Sequence, residues 1–156
     1  MKKPEFRKYA EGTDVPPDRS KNEFEALLKR HGAKEFIFAT KEEGENRGTR
    51  IIYRMHGMMV RQSVLYPAPN DPKYRGTKAD AEYRRRWRAL VLITKAKLEI
   101  IAGGESTFER EFLADLMLPD GKAVGEVLLP QLAEAYETGK TPALLSATGL
   151  LLGTGD

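Results

Sequence analysis

The sequence predicts an α+β fold: a three-stranded antiparallel meander packed with a long helix and two or three shorter helices. Three observations carry that expectation. Two apolar runs, RIIYRM and MVRQSVL, flank His56-Gly57-Met58, which is a hairpin pattern. From about Lys78 to Ala102, apolar residues recur at helical spacing and stop at Gly103-Gly104. The element order is then helix, meander, long helix and two shorter helices.

Taken in order, residues 1–19 are rich in Lys and Pro, with Pro16-Pro17, and read as an extended arm. Ser20-Lys21-Asn22-Glu23 has the form of a capping box, in which a hydroxyl and a carboxylate satisfy each other's backbone amides. The helix after it places Phe24, Leu27 and Leu28 on one face and stops at Gly32. EFIFAT (35–40) is aromatic and β-branched, hence a strand, and KEEGENRGT is a polar loop.

In the hairpin, a two-residue turn at Gly57-Met58 would pair His56 with Met59, Met55 with Val60 and Arg54 with Arg61. Alternation assigns Ile51, Tyr53, Met55, Val60, Gln62 and Val64 to an apolar face. Arg50, Ile52, Arg54, Arg61, Ser63 and Leu65 fall on a mixed, basic one. Tyr66 to Gly76 is a proline-punctuated loop carrying Lys73, Tyr74 and Arg75. The long helix has the stripe Tyr83, Trp87, Leu90, Val91, Thr94, Leu98 and Ile101. Ser106 to Glu109 forms a second capping box, opening a helix to about Leu116; a Pro-Asp-Gly turn and a helix over 124–137 follow. The expected organisation is an arm (1–19), one domain (20–145) and a flexible tail (146–156).

A chain of 156 residues can bury a sizeable core. With no cysteine, disulfides, zinc-thiolate sites and thiol catalysis are excluded. The basic N-terminus lacks the apolar run of a signal peptide, and no stretch approaches a membrane span. The expectation is a cytoplasmic protein of a bacterial host cell, with no membrane partner, no cofactor and no metal.

Charge is distributed unevenly. Residues 1–62 carry +4, residues 63–97 carry +6 and residues 98–156 carry −7, which accounts for the net +3. A basic surface meeting an anion would explain the split, and so would two regions facing each other within the fold. The stretch EYRRRWRAL concentrates the question: four arginines surround the single tryptophan. At 100° per residue Trp87 sits in the centre of the apolar stripe, while Arg84, Arg88 and Lys95 share one flank. Arginine stems covering apolar surface would be the plain explanation. Against it, Glu82 and Glu99 are the only acids between Ala81 and Ala102. The candidate nucleic-acid contacts are Arg50, Arg54, Arg61, Lys73, Tyr74, Arg75, Arg84, Arg88 and Lys95. Tyr66 and Tyr74 are the candidate base-stacking rings.

Other motifs carry less. ETGKTP mimics the end of a phosphate-binding loop, but position 134, where that pattern needs glycine, is Glu134. The two histidines, His31 and His56, do not form a metal or triad spacing. Glu111 and Asp115 share a helix face at i, i+4, a pairing that would suit magnesium in a nuclease or the solvated side of a short helix.

The runs KYAEGTDVPPDRSKNEFEALLKRHGA, RRRWRALVLITKAKLE, FEREFLADLMLPDGKAVGE and AYETGKTPALL resemble a group of small uncharacterised phage and prophage proteins, over most of positions 8–145. That resemblance implies a setting of DNA replication, recombination or interference with a host, and no specific activity. The helix-meander-helix order is also similar to single-strand annealing proteins of the Rad52 type, although this chain is short for one.

The expected function is therefore a phage accessory protein that binds nucleic acid without strong sequence specificity, single-stranded DNA favoured, and is not an enzyme. One alternative is a protein-interaction module acting on a host or phage protein through the acidic C-terminal half. The other is a small metal-dependent nuclease. Oligomeric state is left open.

Overall fold

The computed structural model describes residues 6–142. The elements are α1 (Pro17–Arg30), β1 (Lys34–Lys41), β2 (Gly48–Met55), β3 (Met58–Leu65), α2 (Thr77–Ala102), α3 (Phe108–Phe112) and α4 (Val124–Thr138), with a 3-10 turn at Leu113–Asp115 after α3. The strands form one antiparallel sheet in the order β1-β2-β3. This is the α+β architecture read from the sequence. The expected tail, 146–156, lies outside the described residues.

One face of the sheet carries the core. Ile51, Tyr53, Met55, Val60 and Val64 are buried there with Phe24, Leu27 and Leu28 of α1 and Tyr83, Trp87, Val91 and Leu98 of α2. Trp87 is 1% exposed and meets Phe24 and Tyr83 edge-on, at ring centroid separations of 6.4 and 6.5 Å. The tryptophan is thus a core residue, as the helical spacing requires. A buried polar chain ties the sheet to the segment after α3: the Tyr53 hydroxyl donates to Gln62 Oε1 at 3.0 Å, and Gln62 Nε2 donates to Asp115 Oδ2 at 3.2 Å. Burial among these groups pushes the Tyr53 phenol far above its ordinary range.

Three local expectations are corrected. Helix α1 starts four residues early, at Pro17 instead of Lys21, because proline's fixed φ and missing N–H suit the first helical turn. Ser20 is then inside the helix and fully buried, and Glu23 faces α2 instead of closing a capping box. The cap of α3 is Thr107, whose hydroxyl accepts from the Arg110 amide at 3.3 Å, while the Ser106 hydroxyl donates to Glu111. Only α3 and the 3-10 turn occupy the span expected to be one helix.

The third correction concerns the hairpin. The turn is His56-Gly57, not Gly57-Met58, with φ of 50° and 76°, so both central residues are left-handed. That is the combination of a type I′ turn, whose twist matches the strands it joins. Met55 therefore pairs with Met58, Arg54 with Met59 and Ile52 with Arg61. Arg54 and Arg61 are not directly opposite. The error moves the pairing by one residue on each strand, so face membership is unchanged, and the expected apolar face is the buried one.

Candidate nucleic-acid interface

The sheet face away from α1 and α2 presents Lys34 and Lys41 from β1, Arg50 and Arg54 from β2 and Arg61 from β3, interleaved with Ile37, Ala39, Ile52 and Ser63. It follows from alternation, because every second residue of each strand must leave the core. Two carboxylates answer these five cations. Glu35, at a bulge in β1, accepts from Arg54 Nε at 2.7 Å. Glu126, in the first turn of α4, pairs with Arg61, whose other terminal nitrogen donates to the Gly121 carbonyl at 2.8 Å. The Ala123 amide, followed by Arg61, holds the Glu126 carboxyl below its ordinary range. Lys34, Lys41 and Arg50 have no ion-pair partner among the described residues, and Lys41 Nζ donates to the Glu45 carbonyl at 2.6 Å.

From this face, cations continue around the end of the sheet. One cavity is lined by Lys41, Arg50 and Arg61, a second by Lys41 and Arg47, and a third by Arg47, Tyr74 and Arg75. Glu42 and Glu43 share the wall of the second, and Asp80 that of the third. The ends meet because the Tyr66 amide donates to the Arg47 carbonyl at 2.8 Å, extending the β2–β3 ladder by one bond.

Arg47, inside a loop whose acidic residues mask it in the sequence, is the residue that sequence reasoning missed. Its guanidinium lies 3.8 Å from the Tyr66 ring centre, and the Tyr83 ring stacks on Tyr66 at 4.0 Å. Two groups that close must occupy opposite faces of the ring. Tyr66 is therefore covered on both sides and is not a base-stacking platform. Its phenol is pushed up by burial. Tyr74 is half-buried and accepts from Lys8 Nζ at 2.7 Å.

The long-helix arginines sit in the helical layer, on the other side of the sheet, and are used internally. Arg88 donates to Glu23 Oε2 at 2.6 Å and to Ser20 Oγ at 3.3 Å. Arg84 donates to the Thr13 carbonyl of the arm at 3.2 Å. Arg85 forks onto Glu82 at 2.9 and 3.0 Å, Arg86 adds a bond of 3.2 Å, and Lys8 lies 3.9 Å away. Burial opposes the charge of Glu82, but hydrogen bonds from Arg85 and Arg86 and the charge of Lys8 outweigh it, leaving the carboxyl below its ordinary range.

Of the nine candidate residues, Arg50, Arg54 and Arg61 lie on the outer face and Tyr74 and Arg75 around the sheet end, while Lys73 lines a separate hollow with Lys8 of the arm and Glu82. Arg84, Arg88 and Lys95 belong to the helical layer. Glu111 and Asp115 have separate partners, Ser106 and Gln62. Among the described residues no three acidic or histidine side chains are grouped to hold a metal ion, and no helix is long and apolar enough to cross a membrane.

Comparison with protein-family models, with curated proteins and with solved structures finds no match.

Proposed function

We propose that this chain is a non-enzymatic nucleic-acid-binding accessory protein, in keeping with the small phage proteins its sequence resembles. In this reading the phosphate backbone runs across the outer sheet face and around its end. The carrying observation is Lys34, Lys41 and Arg50, which have no carboxylate partner among the described residues, beside the ion-paired Arg54 and Arg61 on a sheet face that neither α1 nor α2 covers. Arg50 and Arg54 are four residues apart on one strand, about 13 Å, so they suit separate phosphates better than one small anion. Arg47 and Arg75 extend the path. Arginine and lysine contacts of this kind hold a backbone without reading bases, which makes the binding tolerant of sequence.

The test is fluorescence anisotropy with labelled single-stranded and duplex DNA over a series of salt concentrations. Four or five phosphate contacts to a single strand give a slope of log K against log salt of about −3, since each contributes about −0.7. The folded double variant Lys41→Glu/Arg50→Glu is expected to lower that slope by about 1.4 units or to abolish binding. Unchanged affinity in the double variant, or no binding by the wild type at low salt, rejects the reading.

A protein-interaction module is the second reading. It is favoured by Leu129, Leu132 and Tyr136, which are exposed along α4 in the acidic part of the chain. Recovery of a stoichiometric protein partner that survives nuclease treatment, with no DNA binding, would favour it.

A further inference from the structure

The outward side of α2 carries a second apolar stripe, opposite the one that holds Trp87. With Trp87 at 0°, Val91, Thr94 and Leu98 lie within about 40° of it, whereas Ala89, Leu92, Ile93, Ala96 and Ile100 cluster around 180°. Leu92, Ile93 and Ile100 are 44%, 50% and 38% exposed, and Ala96 is exposed. From Ala89 to Ile100 no charged residue falls in the middle of this stripe. A helix whose outer side faced only water would place polar residues there. The first turns of α2 differ: Glu82 and Arg85 point outward, and the arm lies beside them through Lys8.

The stripe is also close to palindromic. Ile93 and Ile100 are centred between Ala96 and Lys97, and Lys95 and Glu99 on the same flank are centred on Lys97, half a residue further along. Neither Lys95 nor Glu99 has an ion-pair partner within the described chain. We propose that the outward face of α2 is the contact of a homodimer, in which two copies of the helix pack antiparallel about a two-fold axis level with Ala96 and Lys97. Antiparallel packing sets Ile93 of one copy against Ile100 of the other. It brings Lys95 alongside Glu99 in both halves of the contact, so one patch is complementary to itself in shape and in charge. Alanine at the centre lets the helices approach closely. A parallel pair would instead oppose identical side chains and leave both charges unanswered.

The dimer is a layered sandwich, sheet, helices, helices, sheet, with the two basic sheet faces pointing in opposite directions. The inference does not depend on the nucleic-acid reading. A contact of about three helical turns falls at the small end of specific interfaces, below about 1,200 Å² in total. Dimerisation is therefore expected to depend on concentration in the micromolar range.

Sedimentation velocity of the whole chain, without nucleic acid, tests it. The wild type should pass from monomer to dimer with rising concentration. Ile93→Glu should weaken association roughly thirtyfold or more, with an unchanged circular dichroism spectrum. Lys95→Glu and Glu99→Lys should each weaken it about three- to tenfold, and the two together should restore it. Because the natural chain has no cysteine, Ala96→Cys adds an independent readout that needs no disruptive charge. With oxidised glutathione it should form a disulfide-linked dimer efficiently, whereas Ala26→Cys, exposed on α1, should not. A wild type that stays monomeric up to about 100 μM, an undiminished dimer in Ile93→Glu, a charge swap that fails to restore association, or equal cross-linking at both cysteines overturns the proposal.

Discussion

The Arg88 guanidinium reaches from α2 to α1 and holds the Glu23 carboxylate at 2.6 Å, while the same nitrogen lies 3.3 Å from the buried Ser20 hydroxyl. One arginine of the RRRWR cluster thus joins two helices through the residues next in sequence to the Phe24–Trp87 contact. Glu23, held below the ordinary carboxylate range chiefly by that hydrogen bond, is charged throughout the neutral range.

Arg88→Ala should lower stability by about 1 kcal/mol, because the Glu23 end of the pair is open to solvent and only the Ser20 bond is sheltered. Urea unfolding measures it. The loss should be nearly absent when Glu23→Ala is already present. Full cost in that background would show that Arg88 acts through packing of its stem and not through the carboxylate.

Glu82 should matter more. It is 7% exposed and answers Arg85, Arg86 and Lys8, so Glu82→Gln leaves three cations without their shared anion. The expected cost is about 2 kcal/mol at pH 7. Its folded pKa is lowered, so on acidification the unfolded chain takes up the proton first. The contribution is complete above the unfolded value, about 4.3, and is lost as pH falls through the folded one. Urea midpoints of wild type and variant should therefore differ at pH 7 and converge towards pH 3. A constant difference across that interval would contradict the assignment.

Gly48 opens β2 with φ of 145°, and a Cβ there would lie 2.2 Å from the Val64 carbonyl oxygen and 2.8 Å from Leu65 Cα. These are backbone atoms of β3, which cannot yield without breaking the Gly48–Leu65 pairing. Gly48→Ala should cost about 3 kcal/mol or more and, by moving the strand end, displace Arg47 from Tyr66. Thermal unfolding gives the first quantity. A Tm within about 2 °C of the wild type would show that the strand end shifts freely.

The sequence by itself determined which side chains share a face. Period-two alternation separated Ile51, Tyr53 and Val60 from Arg50, Arg54 and Arg61, and the 3.6-residue period placed Trp87 in the core. Each depends only on the geometry of one element. Even the wrong hairpin turn left the faces intact, because it displaced the pairing by an even step. The outward stripe of α2 is equally present in the periodicity, at Leu92, Ile93, Ala96 and Ile100, but periodicity alone does not tell an exposed apolar stripe from a buried one.

Only the tertiary structure decided which arginines have partners. Glu23 is 65 residues from Arg88, Glu126 is 65 from Arg61, and Thr13 is 71 from Arg84. Glu82 on the same helix answers Arg85 and Arg86, but the partners of Arg84 and Arg88 lie on the arm and on α1, so the excess of cations along the helix looked unanswered. Ion pairing is a matter of distance in space, and local periodicity carries no information about which distant carboxylate the fold brings within about 3 Å. Arg47 shows the converse. It lies among acids in the chain, yet the fold carries its guanidinium onto Tyr66, with no acceptor among the described residues.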